Sequence, residues 1–228
     1  LKARFLQRLA KPLGLFETMR ANRPSGVAHL ERHLDRLQRS AKALNLPWDR
    51  QAARELAQST SQKLDGTADH RLKLTLSADG QLSASVGPLT PIRAPVQVLL
   101  APERMDSSNL LLQHKTTERA IYDAAWRLAE QQGAFDMLFF NERDELTEGA
   151  RSNVLVKING RWYTPPVQAG ALPGIMRAVL LEDTTLDVSI RHITRQELLT
   201  AQAILVCNAL RGAVPARLAD PASGPGKP

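Results

Sequence analysis

One cysteine among 228 residues leaves no partner for an intramolecular disulfide and fits a reducing compartment. That residue, Cys207, closes the apolar run Ala203-Ile204-Leu205-Val206-Cys207 and is expected as a buried strand residue, not a nucleophile. Aromatic residues make up only 4% of the chain, too little for a base-stacking surface. No apolar run is long enough to cross a bilayer. Lys2, Arg4, Arg8 and Lys11 break up the apolar residues that a secretory signal would need. A cytoplasmic protein with no membrane and no nucleic-acid partner is the expectation. The chain begins at Leu1, not at Met, so it is expected to be a piece of something longer. Both GxGxxG and the Walker A loop are missing, which removes sequence support for dinucleotide or nucleoside-triphosphate chemistry. His29 and His33 stand four apart, but Glu31 is wrongly placed for HExxH and no cysteine or acidic cluster completes a set, so no metal is expected.

What is present is basic and globular. A net charge of +7 and a pI near 10.0 would suit nucleic acid. The basic residues, however, are spread along the chain and interleaved with acids, as in Glu31-Arg32-His33-Leu34-Asp35-Arg36. A small anionic substrate accounts for the same charge. The 43% hydrophobic content supports one large domain or two small ones.

Strand and helix signals alternate. Leu30, Leu34, Leu37, Ala41 and Leu44 recur at helical spacing and predict a helix over 28–45, ended by Pro47; a second covers 49–63. Leu72, Leu74 and Leu76, the turn Asp79-Gly80, then Leu82, Ala84 and Val86 predict a β-hairpin. Pro88 to Pro95 reads as an interdomain linker. Beyond it come a strand from Val96 to Ala101, a helix over 117–132, a strand over 136–140 with the polar turn Asn141-Glu142-Arg143-Asp144, and a second hairpin around Asn159-Gly160. A helix over 174–183, a capping box at Thr194-Arg195-Gln196-Glu197 and a strand over 203–208 follow, and the tail from Pro221 is expected to be disordered. The expected division is 1–91, 92–218 and a tail of 219–228, with a cleft between the first two parts.

Two blocks carry chemistry: Gln113-His114-Lys115-Thr116-Thr117-Glu118-Arg119, placed after a candidate strand, and Leu146-Thr147-Glu148-Gly149-Ala150-Arg151-Ser152-Asn153, read as a turn. A lysine and a carboxylate suit pyridoxal phosphate, which needs an amine for its aldehyde and an acid to keep its pyridine nitrogen protonated. With Leu15-Phe16-Glu17-Thr18-Met19-Arg20, His33-Leu34-Asp35-Arg36-Leu37, Leu172-Pro173-Gly174-Ile175-Met176-Arg177 and Val206-Cys207-Asn208-Ala209-Leu210, they form an ordered series. Over about residues 14–217 this series resembles the class IV, fold type IV, pyridoxal-phosphate enzymes.

The resemblance implies an α+β fold like D-amino-acid aminotransferase, with a small N-terminal α/β domain and a larger C-terminal pseudobarrel domain. It implies pyridoxal 5'-phosphate as cofactor and a homodimer. Lys115 resembles the Schiff-base lysine and general base, and Glu148 the acid at the pyridine nitrogen. Arg36 resembles the arginine that grips the phosphate, with the backbone of Gly174, Ile175 and Met176 as a helix-start anion site and Asn208 as a further phosphate contact. Ser152 and Asn153 line the cofactor. LFETMR, QHKTTER and CNALRGAVPAR are most similar to the aminodeoxychorismate lyase branch, including versions fused behind the synthase component, whose linkers the basic lead-in Leu1 to Leu6 resembles. Glu118 stands where many transaminases carry Asn, and the strands that usually precede the FETMR block are shortened or absent. The implied reaction eliminates pyruvate to give p-aminobenzoate in folate biosynthesis. Thr18 would steer protons, while Arg211, Arg119 and Arg20 would meet the substrate's carboxylates. The alternatives are a class IV transaminase acting on branched-chain or D-amino acids, and a non-catalytic binding domain.

Overall fold

The computed structural model describes residues 13–219, so the basic lead-in, any strand ahead of the FETMR block and the tail from Asp220 lie outside the described residues. The described chain forms two compact units: one holds residues up to Thr90 together with His114–Glu118, the other Pro91–Gln113 and Arg119 onward.

The first unit opens with β1 (Leu15–Asn22), which turns into β2 (Gly26–Val27) and then α1 (Leu30–Leu44) and α2 (Arg50–Gln62), followed by β3 (His70–Leu76) and β4 (Leu82–Pro88). The four strands pair antiparallel in the order β2-β1-β3-β4. The helical spacing seen in the sequence is realised: Leu34, Leu37, Ala41 and Leu44 of α1 are buried, and α2 adds Ala53 and Ala57. Asp49 caps α2 by accepting from the Ala52 N–H at 3.0 Å, and Asn45 ends α1 in the left-handed region. β1 was not foreseen as an eight-residue strand. Its side chains alternate, so Leu15, Glu17, Met19 and Ala21 share one buried face and Phe16, Thr18 and Arg20 the other.

The second unit is built on β5 (Val96–Met105), α3 (Ala120–Gln131), β6 (Asp136–Asn141), β7 (Leu146–Gly149), β8 (Asn153–Ile158), β9 (Arg161–Thr164), α4 (Ile175–Glu182), β10 (Val188–Ile190), α5 (Arg195–Leu199), β11 (Ala203–Asn208) and β12 (Gly212–Leu218). Its eight strands run in the order β10-β9-β8-β11-β12-β5-β6-β7. β7 lies at one end of that order, yet passes into β8 through residues 150–152 alone, so the sheet curls round on itself. Val98, Leu138, Phe140, Leu146, Val154, Val156 and Val206 fill the interior. Both bonds of the Thr194–Glu197 capping box form. Cys207 is buried on β11, and burial pushes its thiol up to about 12, so it remains a packing residue. Lys115 follows not a strand but a 3-10 turn at Leu110–Gln113, and the helix expected from 117 begins at Ala120. Among the described residues no helix is long and apolar enough to cross a membrane.

Candidate active site

In the first unit the lysine block is stitched to β1. The Phe16 N–H donates to the Lys115 carbonyl at 3.0 Å and the Thr117 N–H to the Gly14 carbonyl at 2.9 Å. His114 bonds the Ser40 hydroxyl of α1 at 3.0 Å. With its backbone held, Lys115 places its ammonium 4.5 Å from the centre of the Phe16 ring. Lys73 of β3 sets its own ammonium 4.9 Å from the same ring. Lys73 is directly opposite Thr18 in the β1–β3 register, so two lysines and Thr18 are brought together around Phe16. Lys73 was missed in the sequence because it reads as the polar half of an alternating strand.

The other face of β1 carries a buried charge cluster. Arg36 Nε donates to Glu17 Oε1 at 2.8 Å and its NH2 group to Oε2 at 2.5 Å. His33 Nδ1 lies 2.7 Å from the same Oε2, while its Nε2 has no hydrogen-bond partner among the described residues. Burial works against an ionised Glu17, but the Arg36 charge and the hydrogen bonds from Arg36 and His33 win and hold its carboxyl at about 2. Burial drives the His33 imidazole below its ordinary value, and Glu17 only partly offsets this, so His33 is neutral and donates from Nδ1. The guanidinium expected to grip a phosphate is thus oriented by a carboxylate that the sequence did not reveal.

In the second unit Glu148 sits on β7, which is buried along its whole length and is a strand, not the turn expected. Glu148 is 6% exposed and three donors reach it. The Tyr122 hydroxyl donates to Oε1 at 2.8 Å, the Leu172 N–H to Oε2 at 2.9 Å and Asn153 Nδ2 to Oε2 at 3.3 Å. Donors of this kind favour the ionised carboxylate. Burial, and then the Glu148 charge, push the Tyr122 hydroxyl far above its ordinary range, so it keeps its proton.

Asn153 also donates to the Leu172 carbonyl at 2.9 Å, tying Glu148 to the segment that leads into α4. Gly174 starts that helix with no side-chain cap. A Cβ there would fall 1.8 Å from Asn153 Oδ1. Gly174→Ala is therefore expected to push Asn153 off Glu148 and to cost about 1–3 kcal/mol, read as a lower Tm than wild type.

The remaining expected residues are committed as follows. Ser152 donates its hydroxyl to Asp136, a fully buried carboxyl that the sequence did not point to. Burial raises the Asp136 pKa against the pull of Ser152 and the Met137 N–H. Asn208 organises its own turn, accepting from the Leu210 and Arg211 N–H groups at 3.1 and 2.9 Å and donating to the Arg151 carbonyl at 3.2 Å. Arg119 lies over the Tyr122 ring at 5.0 Å and donates to the Ala150 carbonyl at 2.7 Å. Arg20 is exposed and 3.9 Å from Asp69. Arg211 is half-buried, with its pKa lowered by burial. Ile175 is buried and Met176 half-buried at the start of α4.

Each unit holds groups of a type that pyridoxal phosphate uses: in the first an amine at Lys115 and an oriented guanidinium at Arg36, in the second a buried carboxyl at Glu148 that accepts hydrogen bonds and a helix start at Gly174 without a side-chain cap.

The sequence pattern of the class IV aminotransferases spans residues 14–219. A Schizosaccharomyces pombe protein provisionally named aminodeoxychorismate lyase is 28% identical over 187 residues, 80% of each chain. Among solved structures, a provisionally named amino-acid aminotransferase from Mesorhizobium loti is 35% identical with a TM-score of 0.83, covering 91% of this chain and 100% of that one. One from Legionella pneumophila, provisionally named 4-amino-4-deoxychorismate lyase, is 26% identical with a TM-score of 0.80, covering 91% of this chain and 83% of that one. The fold is that of the fold type IV aminotransferases.

Proposed function

The chain belongs to the class IV aminotransferase family, whose members are pyridoxal-phosphate enzymes, and on that footing we propose that it is a 4-amino-4-deoxychorismate lyase, releasing pyruvate and p-aminobenzoate. The observation that carries the cofactor assignment is Glu148, a buried carboxylate held by three donors. Similarity to two proteins provisionally named for this lyase favours elimination, as does Glu118 in place of the Asn of many transaminases.

Bound at these residues, pyridoxal phosphate would supply an electron sink for negative charge on the carbon bearing the substrate's amine. Lys115 would hold the cofactor through its Nζ, and its amine would take the proton from that ring carbon. Glu148 keeps a proton on the pyridine nitrogen. Arg36 and the backbone N–H groups at the start of α4 hold the phosphate, the helix dipole adding roughly 0.3–1 kcal/mol. Ser152, Asn153 and Asn208 shape the backbone around these groups through the bonds described above. Thr18 relays a proton to the departing enolpyruvyl oxygen, so that the C–O bond breaks with pyruvate leaving and the ring becoming aromatic. Lys73, Arg20, Arg119 and Arg211 supply positive charge for the two substrate carboxylates. The family's pairing into homodimers, and a link to the synthase component that makes the substrate, belong to the same proposal.

An aminotransferase is the alternative, favoured by the 35% identity to the Mesorhizobium loti protein. One experiment separates the two. Holoenzyme is given aminodeoxychorismate, with p-aminobenzoate and pyruvate followed together, and separately given L- and D-amino acids, with conversion of the cofactor to its amine form followed by absorbance. Equal release of both products without rapid amine formation is expected. Amine formation with no product release would overturn the lyase in favour of the transaminase.

A further inference from the structure

Among the donors to Glu148 is Tyr122, a residue to which the sequence drew no attention. Tyr122 stands on α3, 8% exposed, with its ring edge-on to Phe139 at 5.4 Å and an interplanar angle of 79°. The Arg119 guanidinium lies 5.0 Å from the centre of the same ring. Packing of this kind fixes the ring plane and so the direction of the hydroxyl. A phenylalanine would fill the same space; what the tyrosine adds is the hydrogen bond to Oε1 at 2.8 Å. The Leu172 N–H and Asn153 Nδ2 both serve Oε2. Tyr122 therefore brings a donor to the oxygen that those two do not serve.

We propose that Tyr122 is a positioning residue that holds Glu148 in its ionised form and thereby keeps the shared proton on the pyridine nitrogen of the bound cofactor. The proposal rests on the pyridoxal-phosphate assignment above. Two arrangements of one proton compete: carboxylate with protonated ring nitrogen, and carboxylic acid with neutral ring nitrogen. Each donor to the carboxylate stabilises the first, because a hydrogen bond to a charged oxygen is stronger than one to a neutral acid. Removing the Tyr122 hydroxyl leaves the ring nitrogen's partner more basic, and the proton moves toward Glu148. A neutral ring nitrogen is a poorer electron sink. The loss therefore falls on the proton-removal step and leaves substrate binding alone.

The test is Tyr122→Phe holoenzyme carrying cofactor labelled with 15N in the pyridine ring. The nitrogen resonance in wild type is expected at the protonated position. In Tyr122→Phe it should move toward the neutral position, the proton equilibrium changing by about ten- to a hundred-fold. kcat should fall by about ten-fold or more, with KM and cofactor affinity changed by less than about three-fold, because the lost bond bears on proton position. Should Tyr122→Phe fail to fold, 3-fluorotyrosine at position 122 keeps the ring and strengthens the donor, and should move the resonance the opposite way. An unchanged nitrogen resonance in the variant, whatever happens to kcat, would overturn the role given to Tyr122, as would a neutral nitrogen in the wild type. Wild-type protein that takes up no pyridoxal phosphate would instead overturn the cofactor assignment itself, a result distinct from either.

Discussion

Lys115→Ala is expected to lower p-aminobenzoate release by on the order of 10²–10⁴-fold, the scale on which a positioned acid–base group acts in a proton transfer. The same change should leave the fold intact. The half-buried contact of Lys115 with the Phe16 ring at 4.5 Å is worth about 0.5–1 kcal/mol. The backbone bonds that fix its segment, from the Phe16 N–H to the Lys115 carbonyl and from the Thr117 N–H to the Gly14 carbonyl, do not involve its side chain. Loss of turnover with a Tm lowered by only a few degrees therefore separates a chemical role from a structural one. Added methylamine, small enough to enter the space vacated by the lost propylamine portion, should restore part of the rate. A variant keeping a tenth or more of wild-type activity would remove Lys115 from the chemistry.

The largest loss of stability is expected at Glu17. Glu17→Ala leaves the Arg36 guanidinium and the His33 Nδ1–H buried without their acceptor, and breaking one side of a buried pair costs about 3–5 kcal/mol. For a chain of this size that corresponds to a fall in Tm of roughly 10 °C. Glu17→Leu combined with Arg36→Met should regain much of the stability, since apolar replacement of a buried ion pair is close to neutral. It should not regain cofactor affinity, because the phosphate donor is gone.

The pH dependence follows from the same cluster. Glu17 titrates at about 2 in the folded chain against an ordinary 4.5, so its contribution is fully present above 4.5 and is lost as pH falls toward 2. His33 is held below its ordinary 6.5, so the unfolded chain takes up a proton below that value that the folded chain refuses, and stability again falls with pH. Unfolding followed across pH 7 to 3 should show stability declining in two stages. In Glu17→Gln the lower stage should shrink. A stability that rose on acidification would contradict the buried cluster.

The elements that could be read in the sequence are those whose two faces differ. The α1 leucines and the β3–β4 alternation around Asp79-Gly80 each present one apolar and one polar side, while the second hairpin was marked by its turn residues Asn159-Gly160, and all formed where expected. β7 is buried on both faces, and Thr147-Glu148-Gly149 offers no apolar alternation, so it resembled a turn. β12 was missed because Pro215 argues against a strand, although it pairs with Leu205 of β11 there. The 3-10 turn before Lys115 is spelled Leu-Leu-Leu-Gln, which short-range periodicity cannot tell from a strand end.

For the candidate site, residue type and order identified Lys115, Glu148 and Arg36 as candidates, but not what holds them. Glu17, Tyr122 and Asp136 are a strand acid, a helix tyrosine and a strand acid by sequence. Their roles depend on partners 19, 26 and 16 residues away, which no local pattern encodes.

The most direct test of the central claim is to load the protein with pyridoxal phosphate, reduce it with borohydride, digest it and locate the modified lysine by mass spectrometry. Reduction fixes the cofactor to the side chain that carries it. The expected result is one modified peptide, with the phosphopyridoxyl group on Lys115. Modification of a different lysine, or none above the level of a Lys115→Ala control, would contradict the assignment of Lys115 and of the chemistry built on it.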